Sequence, residues 1–410
     1  MTELDGTLAE LARLRSGSEP IVSLYLDVRW GDEQQRERVR LFVQDKVRKT
    51  LAHYPPGTPG REGLERTLRR IQEYVSGLAG QAYEAEQDGL ALFACEGLKL
   101  WRTFFFARPF KGELCTDGIP HLTQLARLAE DAEPAIVVAP HQDGADIYHI
   151  TLGERSGERH VRGYVPRGGE KEQGAGAPVR RLEREAKDER HQEEYIQKAR
   201  RAALAEVMRL LGETPDAKLI LVGPAATLAA FERELPERAR ERVIARMPRP
   251  PDWTGKGGQL RDGVLAEVEK AIAVHGKQSQ GKAIDAVVGQ SLRGGLAVLG
   301  PDDVVQALNQ GRVHRLVIEE DFARTGWLCD NCNCLGQNAE AAEVCPYCGG
   351  AVRAVQFLGE ALVARALAEG AEVELVPHHN KLHSYRGVGA FLRQSSATGL
   401  RGGGGTYVNQ

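Results

Sequence analysis

No apolar run in this sequence approaches the ~20 residues that a helix needs to cross a bilayer, so a soluble protein is expected. The opening Met1-Thr2-Glu3-Leu4-Asp5 is acidic. It lacks the basic start and apolar stretch of a secretory signal, which points to the cytoplasm. Neither sign of charge is in large excess. A formal net charge of −3 rules out a uniformly basic coat, so any contact with nucleic acid has to come from local patches. Cysteine is sparse and unevenly spread: of seven, five fall between Cys329 and Cys348, while Cys95 and Cys115 stand apart. That grouping favours metal over a disulfide framework in a reducing compartment. No solenoid period is found. The glycine-rich stretch 166–178 matches neither Gly-x-Gly-x-x-Gly nor Gly-x4-Gly-Lys-Ser/Thr after a strand, which argues against ATP or NAD.

What is present is a globular composition, 42% hydrophobic and 27% charged, over 410 residues, too long for one core of ordinary size. The patterning is mixed α/β (α+β) and divides into three consecutive α/β domains, 1–132, 133–276 and 277–410. In the first, Leu8, Leu11 and Leu14 sit at helical spacing and Ile21 to Val28 reads as a strand. A charged helix over 36–53 turns Val39, Phe42, Val43 and Val47 to one face, a Pro/Gly loop follows, and a second helix returns over about 64–78. Strands are expected at 90–94 and 101–107. The second domain begins with the apolar 135–139 and a strand over 146–152, with a turn expected at Ser156-Gly157. A charged helix over about 179–211, the strand 218–222 and a closing helix over 260–275 complete it. The third shows a helix over 302–310, strands at 315–318 and 372–376, a helix over 359–369, and a tail containing Gly402 to Gly405 that is expected to be disordered.

Cys329-x2-Cys332 and Cys345-x2-Cys348, twelve residues apart, have the spacing by which two knuckles close a tetrahedral sulfur site. A structural zinc ion is the expected occupant, in preference to a redox pair or unligated thiols. Four sulfurs fill the shell, so no position remains for catalytic water. The ribbon is placed at 326–352, inserted in the third domain, with Cys334 a bystander. His378, His379 and His383 lie near Lys381 and Arg386, have no carboxylate or cysteine at ligand spacing, and read as loop residues.

Five stretches, in order, carry a family resemblance. Pro20-Ile21-Val22-Ser23-Leu24-Tyr25-Leu26 looks like the first strand of a decoding domain, and Phe106-Ala107-Arg108-Pro109-Phe110 like the strand end before the middle domain. Asp146-Ile147-Tyr148-His149-Ile150, a loop and an Arg-rich helix follow the order found around a catalytic loop. Residues 307–318 and 387–393 resemble a helix-Gly-strand segment and a glycine-rich ending in Leu-Arg. Together with the inserted ribbon, these resemble the archaeal and eukaryotic class-one release factor and Pelota superfamily.

The resemblance implies a decoding-site loop at Pro55, Pro56, Gly57, Thr58, Pro59, Gly60 and Arg61, and a tip loop within 166–179. It also implies ribosomal RNA contacts at Gly174, Ala175, Gly176, Ala177, Arg180, Arg181, Arg184 and Lys187. Two family hallmarks are missing. The Asn-Ile-Lys-Ser codon-reading motif is absent, and Ala175-Gly176-Ala177 stands where active members carry Gly-Gly-Gln. A literal Gly257-Gly258-Gln259 precedes the last helix of the second domain and reads as an ordinary loop. Glu183, Glu185, Asp188 and Glu189 interleave with the basic residues of the long helix, so phosphate contact and a solvated face of i to i+4 ion pairs both remain open here. The closest likeness is to the bacterial, Balon-type hibernation branch. It implies a non-hydrolytic factor filling the ribosomal A site, with ribosomal RNA of both subunits and a translational GTPase such as EF-Tu as partners, monomeric off the ribosome and without enzymatic activity. Ribosome rescue, by GTPase recruitment or by peptidyl-tRNA hydrolysis, is the alternative. A nuclease would need clustered carboxylates that no stretch supplies.

Overall fold

The computed structural model describes residues 3–29, 33–79, 87–106, 108–131, 134–141, 144–151, 154–162, 178–250, 262–338 and 343–393. The chain opens with α1 (Glu3–Ala12), β1 (Ile21–Asp27), α2 (Glu33–His53), α3 (Arg61–Ala79), β2 (Gly89–Cys95), β3 (Leu100–Phe106), β4 (Glu113–Asp117) and α4 (Thr123–Asp131). Its sheet is antiparallel throughout, in the order β3-β2-β1-β4. Val39, Val43 and Val47 of α2 and Leu64, Leu68, Ile71 and Val75 of α3 recur at helical spacing. They bury against Val22, Leu24 and Leu26 on one face of β1. Tyr25 points the other way into a second core with Phe93 and Phe110. Burial on both faces explains why β1 reads as a continuous apolar run without alternation.

The next elements are β5 (Ala135–His141), β6 (Gly144–Thr151), β7 (Glu154–Arg162), α5 (Pro178–Glu213), β8 (Lys218–Val222), α6 (Ala225–Glu234), α7 (Glu237–Arg240) and β9 (Val243–Met247), followed by α8 (Asp262–Leu292). The sheet order is β7-β6-β5-β8-β9, antiparallel at the hairpins and parallel at β5-β8-β9. Ile136 and Val138 of β5 pack with Ala203 and Val207 of α5, whereas Val137 and Ala139 pack with Val264 and Val268 of α8. Ser156-Gly157 is not the expected turn. It lies inside β7, where Gly157 pairs with His149 and Arg155 with Ile150, leaving Ser156 as the extra residue of a bulge. A Ser-Gly pair serves either purpose, since both need a small residue at a backbone irregularity.

The remaining elements are β10 (Ala297–Leu299), α9 (Pro301–Asn309), β11 (Val313–Glu319), β12 (Gly326–Cys329), β13 (Leu335–Gln337), β14 (Val352–Val355), α10 (Leu358–Ala368), β15 (Glu372–Val376), α11 (Asn380–His383) and β16 (Val388–Leu392). They form a sheet β10-β16-β11-β15, in which β11 and β15 are parallel, and a separate antiparallel ribbon β13-β12-β14. The mixed α/β class and the ribbon within the third segment are as the patterning implied. Proline at the first helical position and Asp302 and Asp303 in the first turn start α9.

Two features differ from three units joined by linkers. Helix α8 runs unbroken through residue 276, where a boundary was expected. Val264 and Val268 serve the second sheet, while Ile284 packs with Val317 of the third. The first and third segments also share one core, in which Leu8, Leu11 and Leu125 lie with Leu358, Leu362 and Leu375. Polar contacts lock the same junction. Glu360 Oε2 accepts from the N–H groups of Leu122 (2.7 Å) and Thr123 (3.1 Å) and so caps α4 from outside. Arg127 donates to the Leu375 carbonyl (2.8 Å), and the Leu375 N–H donates to Glu130 (2.7 Å).

Candidate functional site

The ribbon brings the four predicted cysteines together. Cys329 ends β12, and its N–H and carbonyl pair with the Cys334 carbonyl (2.9 Å) and the Asn333 N–H (3.1 Å). Cys345 pairs in the same way with the Gly350 carbonyl (2.8 Å) and the Gly349 N–H (2.9 Å). Both turns need a left-handed residue, Asn333 at φ 59° and Gly349 at φ 70°, residue types that reach that region at least cost. Each short Cys-x2-Cys turn therefore aims two sulfurs at one point. Cys329 Sγ stands 3.5 Å from Cys348 Sγ, Cys332 Sγ stands 3.5 Å from Cys345 Sγ, and all four lie within 4.8 Å of one another. Sulfurs at the corners of a tetrahedron around a metal 2.3 Å away would be about 3.8 Å apart, so the cage fits a metal ion.

The surroundings treat the four sulfurs unequally. The N–H groups of Asn331 (3.4 Å) and Cys332 (3.5 Å) donate to Cys329 Sγ. Loss of water and the neighbouring sulfurs push Cys332 and Cys345 up to about 11, while the Gly350 N–H and Asn331 draw Cys348 down to about 6. The crowded thiols thus share protons unevenly, and a cation at their centre would displace them. A side chain at Gly350 would enter this cage, because a Cβ there would lie 3.3 Å from Cys348 Sγ and 3.5 Å from Cys329 Sγ. Cys334 is buried beside the cage with Trp327 but does not belong to the group of four. The ribbon is tied to α9 by Asn309, the last residue of that helix, whose side-chain amide donates to the Leu335 carbonyl (2.8 Å) and accepts from its N–H (2.9 Å).

The loop between α2 and α3 is closed by its own hydrogen bonds. The Thr58 N–H and hydroxyl both donate to the Pro55 carbonyl, at 3.1 and 2.7 Å. Pro55, Pro56, Gly57 and Pro59 are exposed, whereas Thr58, Gly60 and Arg61 are half-buried. Arg61 faces inward, donating to the carbonyls of Leu51 and Tyr54 at the end of α2. It satisfies a helix C-terminus instead of presenting its charge outward. Gly60, at φ 79°, is needed because a Cβ there would meet the Ser18 carbonyl oxygen at 2.2 Å.

Arg180, Arg181, Arg184 and Lys187 fall in the first three turns of α5, and their side chains lie outside the described residues. Gly174, Ala175, Gly176 and Ala177, the rest of the tip loop up to Pro178, Gly257-Gly258-Gln259 and the glycine tail also lie outside them. The chain order around the loop is nevertheless the expected one, with the β6-β7 hairpin before it and the long helix after it. No helix among the described residues is long and apolar enough to cross a membrane.

Residues 120–273 match the model of a family described as bacterial archaeo-eukaryotic release factor family 10. The matched span holds the sequence of the hairpin, the tip loop and the charged helix on which the middle part of the resemblance rests. Among solved structures, an archaeal translation termination factor, aRF1, is similar at 20% identity over 96% of this chain and 97% of that one, with a TM-score of 0.25. Pelota of Archaeoglobus fulgidus is similar at 14% identity over 76% and 80%, with a TM-score of 0.30. Dom34 of S. cerevisiae, described as a translation termination-like factor interacting with Hbs1, is similar at 11% identity over 71% and 72%, with a TM-score of 0.37. No curated protein matches.

Proposed function

We propose that this chain is a cytoplasmic, ribosome-binding translation factor of the release-factor type that fills the A site without cleaving peptidyl-tRNA and acts in ribosome hibernation. The carrying observation is the family match over 120–273, the span whose tip loop, in active members, reaches the peptidyl-transferase centre. Here that loop reads Ala175-Gly176-Ala177, with no glutamine to position water against the ester. The exposed prolines of the 55–60 loop offer few donors for base edges, and Arg61 is committed to α2, which supports occupancy of the decoding site over stop-codon reading. In this reading Arg180, Arg181 and Arg184, at the start of the long helix that follows the tip loop, contact ribosomal RNA. The cysteine cage holds zinc as a structural ion, and delivery or retention involves a translational GTPase such as EF-Tu.

Sedimentation with ribosomes tests binding. Association should fall as salt rises, because each neutralised phosphate releases counterions, and it should fall further when Arg180, Arg181 and Arg184 are changed together to Ala. A release assay tests the silent tip: saturating protein should free no peptide above the rate without factor. Gly257→Ala with Gln259→Ala should bind like the wild type. Release of peptide, if abolished by that pair, would overturn both the non-hydrolytic reading and the placement of the tip.

A further inference from the structure

The parallel strands β11 and β15 end side by side, Glu319 pairing with Val376. In α/β sheets the crevice outside the carboxyl ends of such strands is where ligands gather. Glu319 is the last residue of β11 and is only 3% exposed, an expensive place for a carboxylate without strong partners. Its Oε1 accepts from the His379 N–H (3.0 Å). Its Oε2 faces two imidazoles: His383 Nδ1 at 3.1 Å and His378 Nδ1 at 3.8 Å. The two rings lie 4.4 Å apart between centroids, and the three donor atoms fall within 4.8 Å of one another. Donors around a divalent ion at 2.0–2.2 Å stand about 3–3.5 Å apart, so closure onto a shared cation asks for little movement.

The neighbourhood divides its charges accordingly. Lys381 is drawn away to Asp285 (2.5 Å) and Arg386 to Asp302 (3.6 Å), so neither neighbouring cation is spent on Glu319. His379 is not a fourth ligand, because its Nδ1 accepts from the Lys381 N–H and caps α11. Asp321 Oδ2, 3.9 Å from His378 Nδ1, brings a second carboxylate to the open side. Gly387 leaves room for the carboxylate: at φ 80°, a Cβ there would sit 2.7 Å from Glu319 Oε2.

We propose that Glu319, His378 and His383 form a second metal site, distinct from the cysteine cage, that binds one divalent transition-metal cation. Nitrogen and oxygen donors of this kind suit zinc, cobalt or nickel. Three protein ligands leave a coordination position for water or an external oxygen donor, unlike the closed four-sulfur cage. Binding requires both histidines to carry their proton on Nε2, freeing Nδ1 for the ion.

The test is a cobalt(II) titration of the full chain with its cysteine cage already loaded with zinc. One further equivalent should bind and give d–d absorption without the thiolate-to-cobalt charge-transfer band that a cysteine site would show. Glu319→Gln keeps the side-chain volume and the acceptor for His379 while removing the charge, and it should weaken that equivalent by at least about ten-fold, since changes in partners behind the ligands already cost that much. His378→Ala with His383→Ala, at two exposed positions, should abolish it with the zinc content unchanged. If Glu319→Gln fails to fold, the histidine pair decides the matter. Absence of a second equivalent in the wild type, a charge-transfer band, or undiminished binding in the histidine pair would overturn the proposal.

Discussion

The cysteine ribbon and the Glu319 crevice both gather metal-binding side chains in the third segment, but they are built by opposite means. In the ribbon each pair of sulfurs is delivered by one tight turn, with Asn333 or Gly349 supplying the left-handed residue. A local motif is therefore sufficient to aim them. In the crevice the carboxylate comes from the end of one strand and the imidazoles from beyond another, some sixty residues later. Nothing near His378 or His383 in sequence announces Glu319. His378 and His379 do lie in the loop after β15, as read, while His383 ends the short helix α11; what the spacing did not show is Glu319, which the parallel pairing of β11 with β15 brings beside them.

The largest expected effect belongs to the ribbon. Cys329→Ser with Cys345→Ser should release its metal and unfold the insertion, since structural zinc contributes about 10–16 kcal/mol of apparent binding energy in isolated finger peptides. Metal analysis checks this, and full retention would break the local-motif account. Because β11, β15 and β16 lie outside the insertion, the far-UV spectrum should keep most of its intensity.

A core change reaches both regions together. Leu362 is fully buried in the cluster that also holds Leu328 and Leu335 of the ribbon and Ile318 beside Glu319. Leu362→Ala should cost about 2–5 kcal/mol in denaturant unfolding. It should destabilise the first segment as well, since Leu8 and Leu125 share that core. Separate transitions, with only the third segment shifted, would show that the shared core does not couple them.

Gly387→Ala should act on the crevice alone. A left-handed non-glycine residue costs about 1–3 kcal/mol, and the added methyl would press on Glu319. Its cysteine metal should stay in place, as metal analysis would show. Cys334→Ser is the matching change in the ribbon. It buries a hydroxyl at a cost of about 1 kcal/mol, and the metal content should not change because Cys334 is outside the cage.

The two ends of the pH range should separate the cage from the junction beside it. Acid protonates thiolate ligands and loosens the cage. His121, stacked edge-on against Phe357 just ahead of α10, responds in the other direction. Burial opposes its charge, but Asp117, whose Oδ2 lies 3.6 Å from Nε2, together with Cys115 and Glu360 nearby, outweighs burial and holds its pKa well above the ordinary 6.5. A folded-state pKa raised in this way contributes stability that is complete below about 6.5 and is lost as pH rises through the folded-state value. The wild type should therefore lose its margin over His121→Gln as the pH of unfolding experiments is raised. A margin that grows instead would reverse the assigned charge.

By itself the sequence determined the strands and most helices wherever burial is dictated by nearest neighbours. Val39, Val43 and Val47 mark one face of α2 and Leu64, Leu68 and Ile71 one face of α3, because the 3.6-residue period lines up such positions. It determined the cysteine cage, because two short turns suffice to aim four sulfurs. It was silent on β4, α4 and β9, whose Glu113–Asp117, Thr123–Asp131 and Val243–Met247 are only five to nine residues long. Only the tertiary structure decided that Ser156 is a bulge, that α8 serves two sheets, and that the first and third segments share a core. Arg61 was equally ambiguous, a charge beside a loop until the carbonyls at the end of α2 turned it inward. Each of these depends on partners distant in sequence, and the pairing of chain segments, unlike helical period or turn chemistry, has no signature within a local window.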